Sequence, residues 1–300
     1  MPTRDLCLPH QITLRCHTSG EPGRPVLLFL HGFPEGAFIW DAQLNYFSQP
    51  ANGGYYCVAP CLRGFGQSSS PAEAQAYRPR HLVQDIQALI EVLCPGGAVA
   101  CLVAHDWGGA VAWNLANQQP ERLQKLLIIN SPHPGAFLRE LQTNPAQQAS
   151  SQYMHFLCRG DAETLLAADD FRRLFAFFQN ADGQPPAWLT PEVRQQYRQL
   201  WQQGLRGACN YYRATPLHAP RDGHPGSAGI ELPDSKCTVH VPTKVLWGLA
   251  DIALLPGLLD GLPGWIPDLD LRQIPGASHW LVHEQPALVN AELAQFLHSN

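Results

Sequence analysis

The feature that most constrains this chain is a pairing that recurs along its first half: a short, almost wholly apolar run, followed at once by turn residues. VLLFL runs into HGFPEG, YYCVAP into CLRGFGQSS, AVACLVA into HDWGG, and KLLII into NSPHPG. Such runs are far too short to cross a bilayer. Their unbroken apolarity fits strands covered on both faces, as in a parallel sheet, rather than strands with one wet face. Between them lie helical patterns such as RPRHLVQDIQALIEVL, with Leu82, Val83, Ile86, Leu89 and Ile90 at helical spacing. The alternation predicts a doubly wound α/β sheet, and in such sheets ligand chemistry collects in the turns that follow the strands.

The pattern changes after Pro134. From about residue 135 to about residue 218 the strand signal disappears and helical stretches replace it, ETLLAADDFRRLFAFF and then TPEVRQQYRQLWQQ. Thr190 is placed to cap the second stretch, with Pro191 at its first helical position. A Pro- and Gly-dense segment, HAPRDGHPGSAGIELPDSK, reads as a return linker before strand-like sequence resumes at VPTKVLWG and DLDLRQIPG. The expected organisation is therefore one core, residues 1–134 and 237–300, interrupted by a helical cap with its linker over 135–236. Charged residues make up 15% of the 300, well under the usual quarter, which suits a doubly covered sheet.

Several function classes drop out on composition. A net charge of −5 provides no electrostatic footprint for nucleic acid or an anionic membrane surface. The nine cysteines are odd in number, include no CxxC pair, and form no Cys/His grouping with zinc-ligand spacing, so reduced cytosolic thiols are expected and no metal. The opening MPTRDLCLPHQITLRC has no apolar core of a signal peptide, so a soluble, cytoplasmic protein is expected.

The sharpest chemical motif is Ala104-His105-Asp106-Trp107-Gly108-Gly109, between the run ACLVA and the helical AVAWNLANQQ. A side chain at such a strand-to-helix corner is thrust above the sheet edge, and the tight turn needs small neighbours. The following helix directs its N-terminus at the corner and favours negative charge there, so Asp106 suits a nucleophile. On its own, Asp106 could equally cap that helix. Two further turns change the weighting: Asp251 ends GLAD after the run VLWG, and His279 ends GASH after DLDLRQIP. Nucleophile, acid and base thus occur in that order, each just past a strand, and an acid paired with one imidazole nitrogen leaves the other free to activate water. Asp260 is a fallback acid, Asn130 is excluded as the acid because it is an amide, and His283 reads as part of the approach to the last helix. His10, His17, His218, His224 and His240 read as surface or packed residues.

Taken together, HGFP, LRGFGQSS, HDWGG, GLAD and GASHW resemble, in the same order, the landmarks of α/β-hydrolase-fold proteins, and among these the epoxide hydrolases and their haloalkane dehalogenase relatives. The resemblance covers nearly the whole chain and implies an α/β-hydrolase fold with an inserted helical cap. There is no GxSxG, so Asp106 stands where esterases have Ser, which implies attack at a saturated carbon to give an alkyl-enzyme ester. The resemblance places Tyr153 (SSQYMHFL) and Tyr212 (GACNYYRAT) where epoxide hydrolase caps carry ring-opening tyrosines, and the family's Tyr-Arg pair selects Tyr212 over Tyr211. It implies an oxyanion hole from the backbone N–H groups of Phe33 and Trp107, and substrate contacts from His31, Pro34 and Trp107. Phe33 replaces the Asn common in dehalogenases, and Trp107 replaces the Arg of fluoroacetate dehalogenases. Arg63 is expected to brace its loop, although the family's acidic residue before it gives way here to Pro60-Cys61. The implied activity is hydrolysis of a small-molecule epoxide to a vicinal diol, with water as the other reactant, no cofactor, and no motif that fixes the oligomeric state. The alternatives are a haloalkane or haloacid dehalogenase and a non-catalytic ligand-binding protein on the same fold.

Overall fold

The apolar runs form the middle of one eight-stranded sheet. In the computed structural model, which describes residues 1–179 and 183–299, the strands are β1 (Thr3–Cys7), β2 (Thr13–Ser19), β3 (Val26–Leu30), β4 (Tyr56–Pro60), β5 (Cys101–His105), β6 (Leu126–Ile129), β7 (Thr243–Gly248) and β8 (Leu269–Ile274). Their order across the sheet is β1-β2-β4-β3-β5-β6-β7-β8; β1, β2 and β4 pair antiparallel and all the rest parallel. Every residue of β3, β4, β5, β6 and β7 is buried, whereas β2 alternates and β8 is largely open, as expected of strands near the rims. The α/β-hydrolase architecture implied by the motif order is the one observed.

Helices cover both faces. α1 (Asp41–Phe47), α2 (Pro79–Leu93) and α3 (Asp106–Gln118) connect the early strands; α10 (Leu281–Glu284) and α11 (Pro286–His298) close the chain. The five apolar residues of α2 named from the sequence are all buried, so its stripe faces the sheet. From β3 the chain steps one way to β4 and then returns past β3 to β5, creating a switch point whose carboxyl end is where open α/β sheets hold ligands.

Between β6 and β7 the described residues form helices and no strand: α4 (Pro134–Thr143), α5 (Pro145–Ser150), α6 (Tyr153–Leu157), α7 (Ala162–Ala176), α8 (Pro191–Trp201) and α9 (Arg206–Ala214). Proline at the first turn starts α4, α5 and α8, where its missing N–H costs nothing. Thr190 caps α8 by accepting from the Val193 N–H at 3.4 Å. The stretch ETLLAADDFRRLFAFF reads as one helix, but Asp169, Asp170 and Phe171 lie at φ 52°, 54° and 60° and break α7 in the middle. Left-handed geometry is unfavourable for such residues. Asp170 there is paired with Arg198 of α8 at 2.7 Å and Asp169 with Arg172 at 2.9 Å. These helices seat on the turns after β3 and β4: Trp201 Nε1 donates to the Pro34 carbonyl at 2.6 Å, and the Tyr211 hydroxyl to the Arg63 carbonyl at 3.0 Å.

All nine cysteines are free thiols. Burial pushes Cys57 up to about 12, so it stays an unreactive thiol. No described helix is long and apolar enough to cross a membrane.

Candidate active site

Register brings the strand ends level. Leu30 pairs with Ala104, His105 with Ile129, Ile129 with Leu246, and Gly248 with Ile274. The residues just beyond these pairs, Phe33, Asp106, Asn130, Asp251 and His279, therefore meet above one stretch of the sheet edge. Asp106 sits at φ 49° as the first residue of α3, the strained corner that the motif anticipated. Two glycines make the corner possible. A Cβ on Gly32 would lie 2.1 Å from Asp106 Oδ1, and one on Gly108 would lie 2.5 Å from the Leu30 carbonyl oxygen. Asp106 does not cap its own helix, which has no side-chain cap at its start. Its Oδ1 instead accepts from the Phe33 N–H at 2.7 Å, while the Ser131 hydroxyl holds the Asp106 carbonyl at 2.6 Å.

His279 faces both acids. Its Nδ1 lies 2.7 Å from Asp251 Oδ2, and its Nε2 lies 3.7 Å from Asp106 Oδ2. Asp251 is only 3% exposed, and burial pushes its pKa up. The His279 charge, two backbone N–H groups (Ala253 and Leu254, both at 2.9 Å) and the Asn130 amide at 2.9 Å outweigh that burial, and the net shift is downward. His279 shows the complement. Burial pulls it down, but the Asp251 charge and hydrogen bond, then Asp106 and Glu35, raise it overall to about 9. Asn130, set aside as an acid, is thus the residue that orients the acid.

A second buried carboxylate stands behind the first layer. Glu35 is fully buried; its Oε2 lies 3.1 Å from His105 Nδ1, and its Oε1 accepts from Tyr197 at 2.8 Å and from His283 Nε2 at 2.7 Å. Burial would raise Glu35, yet the His105 and His283 hydrogen bonds reverse this and hold the carboxyl well below the usual carboxylate range. His105 Nε2 donates in turn to the His279 carbonyl at 2.9 Å. The residue before Asp106 therefore fixes the backbone of the imidazole opposite. The sequence reading passed over Glu35 and His105 and assigned His283 only to a helix approach. The available signal was a charged residue inside the glycine-proline turn after β3, and a histidine ending an otherwise apolar strand.

The two tyrosines come from separate helices of the insertion. Tyr153 opens α6 and Tyr212 lies in α9, with ring centroids 6.0 Å apart. Tyr212 stands edge-on to Phe33 and to Trp107, each at 5.2 Å; Tyr211 also packs edge-on to Trp107, at 5.4 Å, but its hydroxyl is spent on the Arg63 carbonyl. Burial and then the Asp106 charge raise Tyr153, and burial, Tyr153 and Asp106 raise Tyr212, so both remain phenols. Two chambers have Asp106, Tyr153 and Tyr212 in their linings. One, about 500 Å³, is lined by Phe33, Asp106, Tyr153, Phe177, Tyr212 and His279. The other, about 250 Å³, is walled by Trp107, Phe137, Leu138, Met154 and Leu254 and shares Asp106, Tyr153 and Tyr212 with the first.

Two expected substrate contacts lie outside these chambers. His31 is fully buried, with Nδ1 2.8 Å from the Gly32 carbonyl and Nε2 accepting from the Leu62 N–H at 3.0 Å. Burial lowers it to about 4, so it is a neutral brace between two rim loops. Pro34 lines neither chamber, and its carbonyl seats Trp201. Phe33 and Trp107 do line them. Asp260 is exposed, and its carbonyl binds Arg139. Arg63 braces its loop on Asp85, at 2.6 and 2.7 Å.

Residues 25–286 match the family model described as alpha/beta hydrolase fold. Epoxide hydrolase 4 of Mus musculus is 33% identical over 293 residues, covering 95% of this chain and 76% of that protein. The AB hydrolase superfamily protein YfhM of Bacillus subtilis is 33% identical, covering 95% of this chain and 94% of its own. The crystal structure of Bacillus megaterium epoxide hydrolase with an inhibitor superposes at a TM-score of 0.86, with 30% identity, over 99% of this chain and 100% of that one.

Proposed function

The chain belongs to the α/β-hydrolase fold family, in its epoxide hydrolase branch, and from that premise we propose that it hydrolyses epoxides to vicinal diols through an ester on Asp106. One observation carries this reading: a carboxylate with one oxygen held by a backbone N–H and the other open to a chamber, facing a His–Asp pair on one side and two phenols on the other.

Asp106 Oδ2 attacks an epoxide carbon; the new C–O bond forms as the ring C–O bond breaks, and its electron pair goes to the ring oxygen. Tyr153 and Tyr212 donate hydrogen bonds to that oxygen and supply its proton. Acid assistance of this kind is worth about 10²–10⁴-fold. The His279 imidazolium returns a proton to the tyrosinate so formed, and the resulting neutral imidazole then removes a proton from water, which adds to the ester carbonyl carbon. Oδ1, already 2.7 Å from the Phe33 N–H, carries the oxyanion, with the Trp107 N–H as the second donor. Collapse breaks the ester C–O bond, the proton on the new carboxyl passes to the departing oxygen, and the diol leaves with the Asp106 carboxylate and the His279 imidazolium restored.

The electrostatics fit this order of events. In the resting site the Asp106 charge helps hold His279 up at about 9, so the imidazole carries a proton at neutral pH. Ester formation removes that negative charge, and His279 becomes easier to deprotonate at the step that needs a base. The two phenols, and Phe33 in place of a halide-binding Asn, favour an epoxide over a haloalkane. The test is a panel of epoxides and 1-haloalkanes with Asp106→Ala as control. Diol release that disappears in the variant is expected, and halide release without diol would assign a dehalogenase instead.

A further inference from the structure

A third cavity, of about 240 Å³, shares no residue with the catalytic chambers and is lined by His155, Cys158, Arg213, His218, Arg221 and His224. Three imidazoles, two guanidinium groups and a thiol line it, and no carboxylate does. The sequence brings these residues together from three places. His155 lies in α6 and Cys158 just beyond it, Arg213 near the end of α9, and the others on the return segment. That segment is pinned down. Arg221 and His224 exchange paired backbone hydrogen bonds at 2.9 Å across a turn with Gly223 at φ 73°, and Ser227 bonds the His218 backbone.

The rings are set as potential donors. His155 Nε2 and His218 Nε2 each lie 2.9 Å from a backbone carbonyl, of Ala219 and Thr215, so both nitrogens carry hydrogen and any second proton goes to Nδ1. The two rings stack at 5.9 Å, and His218 Nδ1 is buried with no partner. Arg213 is balanced by Glu163 at 2.6 Å and Arg159 by Asp161 at 2.7 Å, but Arg221 has no ion pair among the described residues. The uncompensated charge is positive. Burial lowers both His155 and His218, and Arg221 lowers them further. A cation does not suit the place, and no group of three His, Cys, Asp or Glu among the described residues is arranged for a metal ion.

We propose that this cavity binds a phosphate-class oxyanion, inorganic phosphate or the phosphate end of a small monoester. A guanidinium fork matches phosphate oxygens, and a protonated His155 or His218 would give a further charge-assisted bond from Nδ1–H, whereas His224 Nδ1 already accepts from the Gly226 N–H at 3.1 Å. While the phosphate keeps its charge, binding should tighten as pH falls far enough to charge His155 and His218, which burial lowers. The groups facing them are Cys158 beside α6; the Arg159–Asp161 pair before α7; Glu163 on α7; Arg206, Cys209 and Arg213 on α9; and Arg221, Asp222 and His224 on the return segment.

The experiment is calorimetric titration of the full chain with inorganic phosphate and with phenyl phosphate at constant ionic strength, the pH comparison being made with inorganic phosphate at about pH 5 and about pH 6.5, where it stays chiefly the monoanion. Saturable one-to-one binding, tighter at the lower pH, is expected. Tighter binding of phenyl phosphate would assign the monoester, and equal or weaker binding free phosphate. Arg221→Ala, in an exposed turn and checked by its unchanged melting temperature, should weaken binding by about tenfold or more. His218→Gln should flatten the pH dependence. No saturable binding of either probe, or binding that Arg221→Ala leaves intact, would overturn the proposal.

Discussion

The rim of the sheet and the inserted helices meet at Asp106, and they hold their residues by different means. Asp106, Asp251 and His279 hang from strand ends in fixed register, and each is tied by backbone or side-chain hydrogen bonds that leave little freedom. Tyr153 and Tyr212 are held by ring packing against each other, Phe33, Trp107 and Phe177. The comparison separates roles. On the account above, the rim makes and breaks covalent bonds, and the insertion moves a proton and shapes the chamber.

The largest expected effect lies on the rim. Asp106→Ala should lower kcat by at least about 10⁴-fold without unfolding the chain, since it removes the group that becomes bonded to substrate. A variant that keeps ordinary turnover would break the rim half of the comparison. Next come the tyrosines. Tyr153→Phe and Tyr212→Phe together should slow alkylation by about 10²–10⁴-fold. Stopped-flow kinetics should show that ester hydrolysis is spared, whereas a defect confined to hydrolysis would reverse the division of roles.

Glu35 tests what supports the rim. Glu35→Ala leaves the donors on His105, Tyr197 and His283 buried without their acceptor, and loss of one member of a buried charged set typically costs about 3–5 kcal/mol. Denaturant unfolding should show that loss; no change would mean the cluster contributes only orientation. The smallest effect is in stability against pH. His279 is raised from 6.5 to about 9, so its contribution is fully present below about 6.5 and fades as pH rises through about 9. Melting temperatures of wild type and His279→Gln should converge across that window, and parallel curves would contradict the shift.

Much of this is legible in the sequence. The five inner strands follow from runs with no polar face to expose, and a parallel sheet leaves catalytic residues few places other than strand ends. That logic found Asp106, Asp251 and His279 together. It failed where a residue's environment depends on packing across the chain. Nothing local tells that Glu35 receives His105, Tyr197 and His283 from three distant segments, or that Asn130 donates to Asp251. His31 was expected at the substrate because it opens a rim turn, but both its nitrogens are taken by rim backbone. The break in α7 was equally hidden, because its Asp169-Asp170-Phe171 turn pairs with Arg172 and Arg198.

The central claim is that Asp106 becomes an ester which His279 releases. Its most direct test is the intact mass of His279→Gln after incubation with an epoxide. The account predicts a stable gain of one substrate mass, absent when Asp106→Ala is added to the same chain. Diol turnover at the wild-type rate with no adduct at any time would contradict it.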